Sequence, residues 1–445
     1  MGGIGTKDSV GGRGLAVLAA VGLLFGALLL VVIAPGCRVG TLVSDLQFSP
    51  DGRSLAYYRL EGSFFGIPKM GLPILGFGSG HGESCWLEVT RPEEVHRVPI
   101  YKGTLTPFSR RPPKETFYRD MEVVFSPDSQ HTAEVLEDSG DIVIISRDGK
   151  HWKLPEAHDV RSVTWVSCEE VAYATVVRKK GDDGLESQTL VVWRQGVFAP
   201  FHRRELYRRE AGWFKCFFSP PSGGNLLLYE YDRGGRYWLV DLASGKMVDL
   251  APDGEGLRSV AWSTDGSKLL LAIDDAKTEP LPSGAVRFDM HYTAFDTKTE
   301  RRAGWSETYE TDSGDTWFAL ASRWTADGRY VVLAEYARGW SLVDPWNQER
   351  VSLSDRLAPH LEHANAQKVL SVGPLPVEGW IWVEVRLREP ARNQQVFAMD
   401  YSGEHFVPLA DRGTAWAVSP DATRVAEGDK QGRVKVRTLT LPRAE

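Results

Sequence analysis

The sequence predicts an all-β chain: a single β-propeller of eight, alternatively seven, four-stranded blades, preceded by one N-terminal transmembrane helix. Three observations predict it. One aromatic-plus-turn unit recurs eight times along the chain. Strand-length apolar runs follow each copy, with no helical periodicity between them. An uninterrupted apolar run stands near the N-terminus.

Composition bounds the answer before any motif does. The 445 residues carry 52 Lys+Arg against 59 Asp+Glu, a net charge of -7. Such a balance offers no basic face for phosphates, so nucleic acid is excluded as a partner. With 42% hydrophobic and 25% charged residues the chain is globular, not disordered. Four cysteines are too few to build a disulfide scaffold. The body must therefore stand on its hydrophobic core.

The N-terminus divides into a cytoplasmic segment, 1–14, and an anchor or lipoprotein-like signal, 15–36. Leu15 to Ala34 reads LAVLAAVGLLFGALLLVVIA, without one polar side chain. As a helix it spans roughly 30 Å, the thickness of a bilayer's hydrocarbon core. Lys7 and Arg13 precede it and favour an N-terminus inside, with the remainder exported to the periplasm or cell surface. Cys37 closes the stretch VVIAPGC, which resembles a bacterial lipobox, and is the candidate lipidation site.

From 41 to 441 the chain is repetitive. Clear copies of the unit are FSPDGRSLAYYR from Phe48, FSPDSQHTAEVLE from Phe125, FSPPSGGNLLLYEY from Phe218, WSTDGSKLLLAID from Trp262 and WTADGRYVVLAEY from Trp324. Degenerate copies begin at Trp165, Val372 and Val418. In the turn, Pro presets φ, Asp closes an Asx turn and Gly supplies a positive φ, so two strands meet in a tight hairpin. Third strands follow, such as TLVVWR from Thr189, YWLVDL from Tyr237 and QVFAMD from Gln395. A second turn and a short fourth strand (WKLPE, MVDLA, RVSLS, FVPLA) complete the unit. Starts lie 77, 40, 53, 44, 62, 48 and 46 residues apart, and after the last there is room for only three strands. Short antiparallel strands repeated at this period make a radial propeller, in which each sheet packs on both faces and its second strand is continuously apolar.

The aromatic-Ser-Pro-Asp-Gly units resemble the bacterial WD40-like repeats of TolB-type propellers, also seen in the propeller halves of prolyl oligopeptidase relatives. The resemblance covers most of Phe48 to Leu441 and is to the propeller alone, without the small α/β domain that precedes it in TolB. It implies the fold and is nearly silent on function.

Motifs for chemistry are sparse, and no catalytic, cofactor-binding or metal-ligating residue is assigned. No Gly-x-Ser-x-Gly elbow occurs. His360 and His363 in HLEH have the wrong spacing for a zinc helix and read as a short polar helix or loop around Pro359–Lys368. Gly76 to Gly82 reads as a flexible loop, not a dinucleotide fingerprint. The acid pairs Asp182–Asp183 and Asp274–Asp275 read as solvated loop charge without EF-hand spacing. Asp312, Gly314, Thr316 and Trp317 match part of the Asp-box of sialidase-type propellers, which in that family is a structural turn.

One connection is unusually apolar. The segment from Ser63, between the second and third strands of the first unit, carries Phe64, Phe65, Ile67, Met70, Leu72, Ile74, Leu75 and Phe77. These are the candidate contacts with membrane or partner. The function expected is a membrane-anchored, extracytoplasmic, non-enzymatic scaffold that binds a protein or envelope component. The alternative is a propeller enzyme, a hydrolase or lyase, with a site assembled from loops at the mouth.

Overall fold

The structure, a computed structural model, describes residues 37–65, 78–105, 123–136, 139–180, 186–211, 214–220, 224–230, 235–250, 256–283, 285–311, 322–335, 339–388, 394–410, 415–429 and 431–442. The candidate contacts at 66–77, the pair Asp182–Asp183, the Asp312–Trp317 motif and the apolar run at 15–34 lie outside them. Among the described residues no helix is long and apolar enough to cross a membrane.

Eight antiparallel sheets form in chain order, seven of four strands and a last one of three. Their first strands are Cys37–Phe48, Val124–Phe125, Val160–Trp165, Phe214–Phe218, Gly256–Trp262, Arg323–Trp324, Ala366–Pro374 and Trp416–Val418. Each contains one of the eight recurring openers, so the count is eight blades and not seven. The first strand starts at Cys37, four residues before the expected start of the body.

Blades hold together by alternate side chains. In blade 4 the second strand Asn225–Glu230 is buried at all six positions. Leu226 and Leu228 pack toward blade 3, with Ala172 and Leu190. Leu227 and Tyr229 pack toward blade 5, with Leu269 and Leu271. Comparable clusters join every successive pair of blades. The ring then closes on itself. Ala426 of blade 8 packs with Val43, Leu55 and Tyr57 of blade 1, and the Arg424 guanidinium donates to the Gly52 carbonyl at 3.2 Å. Gly428 permits this approach, since a Cβ there would lie 2.7 Å from Val43. Among the described residues the last sheet takes no strand from the N-terminal part of the chain, so closure is by side-chain packing and the Arg424 hydrogen bond.

The opening turn has one construction in five blades. Ser49, Ser126, Ser263, Thr325 and Ser419 each donate to the Asp two residues on, at 2.5, 2.6, 2.7, 2.5 and 2.5 Å. The same hydroxyls accept the backbone N–H of Ser54, His131, Lys268, Tyr330 and Arg424. The residue after the Asp takes a positive φ, which explains glycine at Gly52, Gly266 and Gly328. Each turn thus satisfies its own backbone locally.

A single helix among the described residues, Leu353–His363, interrupts the pattern between blades 6 and 7. It corrects the reading of a short polar element at 359–368. Leu353 and Leu357 are buried in the core between those blades, so the helix is amphipathic. Lys368 belongs to the following strand, Ala366–Pro374.

Candidate functional site

First strands of neighbouring blades touch one another. The Ser259 and Ser322 hydroxyls meet at 3.0 Å between blades 5 and 6. Trp165 and Trp324, at the ends of their first strands, donate Nε1–H to Val124 and Ala261 of the preceding blade at 2.8 and 3.1 Å. The first strands therefore surround the propeller axis, and its two mouths are where side chains of different blades converge. Antiparallel order places the first-to-second turns on one face and the second-to-third hairpins on the other.

The hairpin face is a crown of unequal blades. Second strands are 12, 5, 11, 6, 13, 5, 8 and 5 residues long in chain order. Tall and short blades alternate around the ring. The tall ones also carry irregular first strands, with register shifts in blades 1, 3, 5 and 7. Arg161 and Arg258 occupy the skipped positions in blades 3 and 5, where a bulge re-aims the side chain. The Arg258 Nε donates to Asp274 at 2.6 Å, and a side chain at Gly256 would collide with that carboxylate. Arg209 of blade 3 pairs with Glu230 of blade 4 at 2.7 Å.

Between blades 1 and 2 lies a carboxyl group that sequence reading missed. Glu134 is 1% exposed and accepts from Ser84 Oγ at 2.6 Å, while its Oε2 has no partner. Burial pushes its pKa up to about 7, against the hydrogen bonds of Ser84, Thr132 and Tyr58.

At the turn face the axis opens into a cavity of about 280 Å³. It is lined by Thr264 of blade 5, Pro374, Leu375, Pro376 and Trp382 of blade 7, and Trp416 and Val418 of blade 8. Arg323, on the innermost strand of blade 6, places its guanidinium 5.1 Å from the centroid of the Trp382 ring.

Few of the residues singled out in the sequence meet here. Phe64 and Phe65 end the second strand of blade 1, and Cys37, which begins its first, is paired with Phe65. Gly78 to Gly82 is strand, paired throughout with the fourth strand and, at His81 and Gly82, with the second as well, which corrects the flexible-loop reading for these residues. Asp274 and Asp275 lie in the strand Lys268–Pro280 and not in a loop. Asp274 is buried against Arg258, so it is a paired charge and not a solvated one. His360 Nε2 meets the Gly403 carbonyl at 2.7 Å, and His363 Nδ1 meets that of Pro359 at 3.1 Å. Neither faces the other as a ligand pair. Cys85 and Cys168 are free thiols. Among the described residues no group of three or more His, Cys, Asp or Glu is placed to hold a metal ion.

The chain matches no family model and no curated protein. Among solved structures it is similar to the tricorn protease, with 13% identity and a TM-score of 0.44 over 89% of this chain and 42% of that chain. It is similar to a chain of the mitotic checkpoint complex at 13% identity and 0.38, over 71% and 86%. TolB from Acinetobacter baumannii matches at 12% identity and 0.31, over 86% and 80%. This chain thus spans less than half the length of the tricorn protease chain. The eight-bladed propeller fold rests on the chain's own sheets and turns.

Proposed function

We propose that the chain is a binding scaffold, anchored in a membrane by its N-terminal apolar run, held outside the cytoplasm, and engaging a protein or envelope component with its crown face. One observation carries this reading. Cys37 is paired with Phe65 and Gly78 with Leu105, so the chain reaches blade 1 at the end where the tall hairpins stand. Only residues 35 and 36 separate the apolar run from that strand, which supports a crown turned toward the membrane. Of the acids that reach this end, Asp274, Glu230, Glu279 and Glu310 are ion-paired with Arg258, Arg209 and Arg287, which supports binding over acid–base chemistry. Phe64, Phe65, Ile67, Met70, Leu72, Ile74, Leu75 and Phe77 are the proposed contacts.

The test has two arms. An alkaline phosphatase fused after Glu445 is active only if exported, so an inactive, stably expressed fusion overturns the topology. Replacing Phe64, Phe65, Ile74 and Leu75 together by Ser should leave melting temperature unchanged and abolish binding to vesicles or partner. A large fall in melting temperature would make them core and end the contact reading.

A further inference from the structure

The cavity at the turn face has a construction found at none of the opening turns. Gly373, on the innermost strand of blade 7, pairs with Trp382 on the second. A Cβ at 373 would lie 2.6 Å from the indole, so the missing side chain lets the ring lie across the innermost strand. Trp416, on the innermost strand of blade 8, meets it edge to face, with centroids 5.3 Å apart and planes at 79°. Two indoles at that angle form a corner that offers a third ring both a face and an edge. Pro374, Leu375, Pro376 and Val418 extend it as an apolar wall, and Thr264 supplies the hydroxyl.

Arg323 brings a positive charge to this corner. Its guanidinium lies over Trp382, and no described carboxylate pairs with it. The side chain is exposed to solvent. Burial lowers its pKa from the ordinary arginine value, with no counter-charge acting against it. Among the described residues this guanidinium has no anion, and a ligand carrying one would pair with it. A cavity near 280 Å³ has room for one or two fused rings.

We propose that this axial cavity binds a small planar aromatic anion, its ring seated against the corner made by Trp382 and Trp416 and its negative group paired with Arg323. The site is at the face opposite the crown and stands or falls independently of the anchoring and crown reading.

Equilibrium dialysis of the full chain in detergent tests it, with 2-naphthoate and its neutral analogue 2-naphthamide as probes. Naphthoate should bind saturably and about tenfold or more tighter than the amide, the worth of one charge-assisted hydrogen bond. Arg323→Gln should remove that preference while amide affinity stays, and Arg323→Lys should retain part of it. Trp382→Leu should weaken both probes. Absence of saturable naphthoate binding at millimolar concentration overturns the proposal. So does a folded Arg323→Gln protein that still prefers the acid.

Discussion

At the turn face, blades 1, 2, 5, 6 and 8 repeat one hydroxyl–Asp–backbone construction with donor–acceptor distances that differ by 0.2 Å. At the crown the second strands range from 5 to 13 residues, and long ones alternate with short. Both faces belong to the same sheets. The turn face is bounded by chemistry within six residues and by first-strand contacts with the preceding blade, as at Trp165 and Trp324. A crown hairpin pairs chiefly with its own blade, so it lengthens without disturbing its neighbours. The difference locates stability at the turn face and in the blade interfaces, and freedom to vary at the crown.

The largest expected effect comes from cutting a turn-face staple. Trp165 is fully buried, and Trp165→Ala removes its volume and orphans the Val124 carbonyl. Denaturant unfolding should show a loss of about 3–5 kcal/mol. A loss under about 1 kcal/mol would erase the distinction between the faces.

Glu134 sharpens the comparison by pH, because it serves a blade interface and neither face. Its folded pKa of about 7 lies above the ordinary 4.5, so between these values the folded chain holds a proton that the unfolded chain has released. Stability from this group is complete below about pH 4.5 and is lost as pH rises to about 7, by roughly 3 kcal/mol. The turn carboxylate of Asp421 runs oppositely. Hydrogen bonds from Ser419 and Thr423, against burial, lower the pKa of Asp421, so its contribution is lost as pH falls. Glu134→Gln should flatten the decline between about pH 5 and 7 in thermal melts, leaving the acid limb unchanged. An unaltered decline would remove Glu134 as its source.

The smallest effect belongs to the crown. In blade 5, Glu279 and Arg287 sit near the hairpin tip, and Arg287 pairs with Glu279 and Glu310, all exposed. Replacing 279–287 by a two-residue Asn-Gly turn should cost at most about 1 kcal/mol, since exposed pairs contribute little. A cooperative collapse of blade 5 would show that its crown is part of its core.

The eight openers were legible as eight blades because the turn chemistry is local. A Ser, an Asp and a positive-φ residue satisfy one another wherever they occur. The alternation of blades was present in the spacings 77, 40, 53, 44, 62 and 48, the last lengthened by the helix Leu353–His363. The paired bulges also left a trace, RSVTW at Arg161 and RSVAW at Arg258. Glycines and acids misled for one reason. Gly78–Gly82 and Asp274 look like loop residues until neighbouring strands supply their hydrogen bonds and counter-charge.

The sequence by itself determined the repeat, its eight openers, the room for only three strands in the last unit and the apolar run before Cys37. Each depends on residues within one turn or one strand. Tertiary structure alone decided the burial of the Glu134 carboxyl, the closure of blade 8 on blade 1, and the meeting of Arg323, Trp382 and Trp416. Those residues come from different blades, and the ring brings them together by packing, which has no fixed spacing in the chain.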